Sequence, residues 1–237
     1  QPAFKLKYLP MFLLFLIDKK QHFRGLRGLL WRSIGVKRNL RNPNVCNACS
    51  MHFHTGLLSE ATILIADSDE LSALMRTRGP EVGSSFVEEF FSVCRDVIVG
   101  HDGIVDRFGA HGVMAIFNVP IRRFDHVDQA ISAATEIQLA ARRIDVTEDA
   151  GAGLQVGIAI ETGLAFTGVL GARSCGDYTA LGDIVDIASH LQEQAGPRGT
   201  LISEQAYRLI GGAYPKAQSL PVQIKGSAEP VRAYRLS

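Results

Sequence analysis

Asp106-Arg107-Phe108-Gly109-Ala110-His111-Gly112-Val113-Met114-Ala115-Ile116-Phe117 is the stretch on which the fold turns. Two runs of strand-forming residues, 103–108 and 113–117, flank Gly109-Ala110-His111-Gly112, and small residues at so tight a connection predict a β-hairpin. Upstream, Ala61-Thr62-Ile63-Leu64-Ile65-Ala66 is a short β-rich run that stops at Asp67, which reads as a buried strand. Between that strand and the hairpin, Val82, Phe86, Phe90, Val93 and Val97 recur at helical spacing behind Pro80, a residue suited to a first helical turn.

Downstream, Ala130, Ala133, Ala134, Ile137, Ala141 and Ile144 predict a second helix, followed by strands over 154–160 and 164–170. The order β-α-β-β-α-β defines an α+β fold with a ferredoxin-like core. A C-terminal α/β extension follows: a helix over 183–194, a strand over 200–202, a helix over 203–210, and a closing hairpin of 222–226 with 231–236. No internal repeat or low-complexity tract interrupts 59–237, which reads as one domain.

Residues 1–58 read as a separate piece. Ten Lys or Arg stand against the single acid Asp18 within residues 1–45, although the whole chain carries a net charge of only +1. The apolar run Leu9–Ile17 is shorter than the roughly 20 residues a bilayer-spanning helix needs and lacks a small-residue cleavage site. Contact of residues 1–30 with a membrane surface, or a dimer contact, stays open beside a helix covering an apolar patch. Nucleic-acid binding through this basic segment, with Phe23 and Trp31, is the less favoured reading. The four cysteines do not suggest a disulfide framework, so a cytoplasmic location is expected. Cys46 and Cys49, with His52 and His54 close behind, offer a candidate Zn²⁺ knuckle or simply pack at the domain entrance.

Five blocks in order resemble the class III adenylate/guanylate cyclase catalytic domain: Ile65-Ala66-Asp67, the 106–117 stretch, Val156–Gly163, Asp177–Ser189, and Ile224-Lys225-Gly226 before Glu229-Pro230-Val231. The resemblance implies a class III nucleotide cyclase fold. It also implies a reaction in which the 3′ hydroxyl of a nucleoside triphosphate attacks its own α-phosphate, releasing pyrophosphate. Such chemistry relies on positioning and charge neutralisation, with two Mg²⁺ or Mn²⁺ ions held by carboxylates. The family's site lies between two chains packed head to tail, so the resemblance implies a homodimer, or a heterodimer with another cyclase chain.

Residue by residue, the resemblance places Asp67 at the first metal aspartate, with a helix cap as the structural alternative. His111 stands at the second metal aspartate; an imidazole suits Mn²⁺ better than Mg²⁺ and brings no negative charge. Arg107 stands where adenylate cyclases carry a purine-reading Lys, and Thr179 where many carry the Asp that receives the adenine amino group. Neither matches the Glu and Cys pair of guanylate cyclases, so ATP is the expected substrate. Asp186 replaces the transition-state Asn, setting a carboxylate where negative charge develops, and His190 replaces the transition-state Arg, exchanging a permanent cation for an imidazole. Glu70 falls in the phosphate-cradling turn where the family has Gly, and Lys225 is retained as a contact to the terminal phosphates. Gly163, Gly168 and Gly171 read as scaffold. Two functions follow: a weak, Mn²⁺-assisted adenylate cyclase making cyclic AMP, or an inactive cyclase-homology module that binds nucleotide or dimerises for regulation.

Overall fold

The computed structural model describes residue 42 and residues 56–120, 122–146, 153–170, 177–210, 212–225 and 229–236. Cys46 and Cys49, offered as a zinc knuckle, and the apolar run considered for membrane contact lie outside the described residues, as do residues 1–45 apart from Asn42. Residues 56–237 form one compact unit.

Its centre is the strand β1 (Leu57–Asp67), paired antiparallel on one side with β3 (Gly112–Phe117) and on the other with β4 (Gly157–Leu170). With a neighbour on each edge and helices on both faces, β1 buries Ala61, Ile63, Leu64 and Ala66 in near succession. That accounts for an apolar run that scarcely alternates. The hairpin partner β2 (Ile104–Phe108) closes the edge beyond β3, and β6 (Thr200–Ser203), β8 (Val231–Leu236) and β7 (Gln218–Val222) extend the sheet beyond β4. β5 (Asp177–Leu181) pairs with the far end of β4.

Three helices cover one face: α1 (Asp69–Arg78), α2 (Pro80–Gly100) and α3 (His126–Ala141). Their core joins Leu64, Phe90, Ile98, Phe117, Ile137 and Ile160. On the opposite face, α4 (Asp183–Ala195) lays Ile184 and Ala188 over Ile63, Met114, Ile116 and Ala165. The short α5 (Glu204–Leu209) starts at Ser203, whose hydroxyl accepts the Ala206 N–H at 3.1 Å. The element order gives the expected α+β, ferredoxin-like core with an α/β extension.

Two local expectations need correction. Residues 154–160 and 164–170 are not two strands: β4 runs unbroken from Gly157 to Leu170. Glu161-Thr162-Gly163 resembles a turn in composition, but β1 pairs with β4 continuously from Asp67↔Gly157 to Leu57↔Thr167. The polar groups are satisfied inside the ladder: Thr62 Oγ1 donates to Thr162 Oγ1 at 2.9 Å, and Thr162 donates to the Ala61 carbonyl at 3.2 Å. The closing hairpin uses 218–222 rather than 222–226, which leaves Lys225 in the following turn. Pro221 sits within that strand, tolerated because β7 is the sheet's edge and needs no donor there. In addition, 177–181 is a strand, which did not stand out as an element in the sequence, and the helix that follows Asp67 is a separate one, α1, ahead of Pro80.

Candidate active site

Asp67 is the last residue of β1, and its register partner is Gly112, the first residue of β3. The hairpin loop therefore hangs beside the strand tip. His111 Nδ1–H donates to Asp67 Oδ1 at 2.5 Å, and the His111 carbonyl accepts the Ser68 N–H at 3.3 Å. A Cβ on residue 112 would collide with Asp67 Oδ2, so glycine is needed for this close approach. Asp67 does not cap α1. Ser68 holds the N-cap position in extended backbone, while its buried hydroxyl finds no partner.

A cleft of about 620 Å³ opens at this tip, lined by Asp67, Glu70, His111, Gln155, Gln192 and Glu193 among others. Glu70, in the first turn of α1, accepts the Gln155 N–H at 3.0 Å. With Asp69 also on the wall, four carboxylates face one cleft. Such a lining repels a bare triphosphate. As a home for two hard cations the donors do not fit, because one of the two strand-tip groups is an imidazole already bonded to the other. Among the described residues, no three His, Cys, Asp or Glu side chains are gathered into a metal-holding cluster.

The remaining candidates stand elsewhere: Arg107, Thr179, Asp186, His190 and Lys225 do not line this cleft. Arg107 and Thr179 come close to one another through Asp106. Thr179 Oγ1–H donates to Asp106 Oδ2 at 3.0 Å, the Arg107 Nε lies 3.7 Å from the same oxygen, and Arg107 Nη2 reaches the Met114 sulfur at 3.1 Å. Asp186 and His190 share one face of α4 a turn apart, and His190 Nδ1–H donates to the Asp186 carbonyl at 2.8 Å. Lys225 is exposed. Gly163 lies under Ile184, where a Cβ would come within 2.9 Å of that side chain, in keeping with a scaffold role; Gly171 lies outside the described residues.

Sequence reasoning passed over Asp106, Gln155 and Glu161. Asp106 looked like a strand residue of no special kind; the signal was an acid inside an apolar strand. Gln155 contributes a backbone amide, which no side-chain pattern reveals. Glu161 is 4% exposed and lines a second cleft of about 700 Å³ with Ile187, Ser203, Arg208 and Arg232. Burial pushes its carboxyl up to about 7, against the opposing hydrogen bond from Ser203.

A ferredoxin-like core with a carboxylate at the tip of its first strand, abutting the β2–β3 hairpin loop, matches the class III nucleotide cyclase fold. The chain belongs to the adenylate and guanylate cyclase catalytic domain family, whose description it matches over residues 55–237. It is 27% identical to "Adenylate cyclase 1" of Rhizobium meliloti over 188 residues, covering 73% of this chain and 28% of that protein. An uncharacterized protein of Mycobacterium tuberculosis is 30% identical over 163 residues, 67% of this chain and 29% of the relative. The chain thus spans less than a third of the length of these curated relatives. Among solved structures, the guanylyl cyclase Cya2 aligns with a TM-score of 0.70 at 25% identity, over 76% of this chain and 93% of that one. The adenylyl cyclase CyaB from P. aeruginosa aligns with a TM-score of 0.69 at 20% identity, over 77% and 96%. Among the described residues no helix is long and apolar enough to cross a membrane.

Proposed function

We propose that this domain is of adenylate cyclase type, taking ATP into a site shared with a second chain and forming cyclic AMP and pyrophosphate slowly. The observation that carries the reading is the Asp67–His111 pair at the tip of β1. Its position supports the family's cation-binding corner; its chemistry supports low turnover, since one negative charge has been exchanged for an imidazole. A carboxylate and an imidazole are an ordinary donor pair for a single Mn²⁺, which Asp67 and His111 would hold and which would neutralise triphosphate charge. In the reaction the family carries out, the 3′ oxygen bonds to the α-phosphorus, the bond to the β-phosphate oxygen breaks, and the hydroxyl proton is lost. Arg107 and Thr179 are the residues proposed to face the purine, and Lys225 the terminal phosphates.

Two observations support a second chain. The cleft at Asp67 lacks Arg107, Thr179, Asp186, His190 and Lys225, as a site completed by a partner would. Leu58, Leu164 and Leu181 are 66%, 63% and 50% exposed on adjoining strands, with Phe166 between them at 39%. An apolar surface of that kind on a folded chain favours burial against another.

The second reading, a regulatory cyclase-homology module without turnover, is favoured by Glu70. Its carboxylate already takes a backbone amide of the cleft. Incubating the protein with ATP and Mn²⁺ separates the two. Cyclic AMP above an Asp67→Ala control supports the slow enzyme. ATP binding by calorimetry with no product above that control supports the module instead.

A further inference from the structure

We infer that Asp106 sets which purine the site accepts, by fixing the hydrogen-bond polarity of the Thr179 hydroxyl. The inference rests on the reading that Arg107 and Thr179 face the base, and it adds the reason for the choice between 6-aminopurine and 6-oxopurine.

A threonine hydroxyl has one hydrogen and two lone pairs, so by itself it serves either kind of purine. It can accept from an exocyclic amino group or donate to a carbonyl oxygen. Here that freedom is gone. Thr179 Oγ1–H is spent on Asp106 Oδ2 at 3.0 Å. A carboxylate only accepts, and the Arg107 guanidinium lies 3.7 Å from the same oxygen, a cation beside the acid. What Thr179 has left to offer a ligand is a lone pair. An amino group at purine position 6 finds an acceptor there; a carbonyl at that position meets lone pair with lone pair, and both groups lose water without gaining a bond.

The backbone explains how the acid reaches this place. The β2–β3 register slips between Val105 and Arg107, so Asp106 is the extra residue of a bulge. Ile104, Val105 and Asp106 are consecutively buried where a regular strand would alternate. The bulge re-aims Asp106 inward toward β5 while Arg107, 57% exposed, stays outside. The Asp106 side chain is only 3% exposed. It acts through Thr179 and is a positioning residue.

The test is competition binding of ATP, inosine triphosphate, GTP and purine riboside triphosphate in Mn²⁺ to the full chain. For the wild type, ATP binds tightest, purine riboside triphosphate (no 6-substituent) next, and the 6-oxo nucleotides weakest, with an ATP-to-inosine triphosphate ratio of about tenfold. Asp106→Asn, whose amide can donate or accept, brings that ratio toward one while leaving purine riboside triphosphate unchanged. Thr179→Ser retains the preference; Thr179→Val loses it, and adding Asp106→Asn to Thr179→Val changes nothing more. If Thr179→Val shifts the ratio and Asp106→Asn does not, the role of Asp106 is overturned and the purine-facing reading stands. If Thr179→Val leaves the ratio untouched, the purine-facing reading falls and takes this inference with it. Should Asp106→Asn fail to fold, the wild-type series decides, because inosine triphosphate binding as tightly as ATP refutes the proposal.

Discussion

Glu70 and Gln155 are joined across the mouth of the cleft, carboxylate to backbone amide, at 3.0 Å. The contact ties the first turn of α1 to the segment entering β4 and takes up an amide that would otherwise face the cleft. Replacing Glu70 with Ala removes one carboxylate and releases that N–H. The expected outcome is ATP binding in Mn²⁺ tightened by about tenfold and stability lowered by about 1 kcal/mol, from the lost hydrogen bond and first-turn acid. Calorimetric titration and urea unfolding check both; unchanged or weaker ATP binding would count against this account of Glu70.

Restoring the family's residues is the sharper test of the assignments. The triple variant His111→Asp, Asp186→Asn, His190→Arg returns a carboxylate, a neutral donor and a permanent cation. Each lost donor of this kind typically costs about 10²- to 10³-fold in turnover. Cyclic AMP formation in the triple variant is therefore expected to rise by at least 10³-fold, as an order of magnitude. A folded triple variant that gains nothing shows that these positions have been misassigned.

Glu161 gives the domain a stability that depends on pH. Below its ordinary value of 4.5 the carboxyl is protonated in both folded and unfolded chains, and its burial carries no ionisation penalty. As pH rises from 4.5 toward 7 the unfolded chain gives up the proton and the folded chain keeps it, so stability falls; above 7 the loss levels off. The span corresponds to about 3 kcal/mol. Glu161→Gln has no such slope and is expected to gain on the wild type by about that amount between pH 4.5 and 8. His126, whose pKa burial lowers, contributes an opposite loss on acidification. The difference between variant and wild type in urea unfolding is therefore the quantity to read. Parallel pH profiles would rule Glu161 out as the source.

The apolar strip on β4 and β5 predicts how assembly fails. Phe166→Glu places a charge beside exposed Leu58 and Leu181 without entering the core. It is expected to yield a folded monomer by sedimentation, with cyclic AMP formation lost if the site is shared. A dimer that persists through Phe166→Glu and Leu164→Glu together would move the interface elsewhere.

The fold was legible because its strongest signals are local. The hairpin at Gly109–Gly112, the helical spacing behind Pro80 and the alanine-rich helix over 126–141 are written in neighbouring residues. The continuity of β4 was not, since Glu161-Thr162-Gly163 becomes strand only when Ile63, Thr62 and Ala61 lie opposite. At the site, the proximity of Asp67 and His111 follows from the resemblance that set both at the family's metal positions. The hydrogen bonds that occupy them were not legible, and Asp106 showed only as an acid inside an apolar run, because a bulge is a relation between two strands.

The β1–β4 ladder also bears on how the chain is made. Thr62 and Thr162 lie side by side though 100 residues separate them. At a synthesis rate of about 5–20 residues per second, the emerging β1 waits roughly 5–20 s for its second neighbour. Throughout that interval a run of Ile and Leu presents an open edge to whatever else the ribosome's surroundings offer. Overproduction at lower temperature, or with a chaperone holding the nascent chain, should improve the soluble yield more than any change to the finished surface.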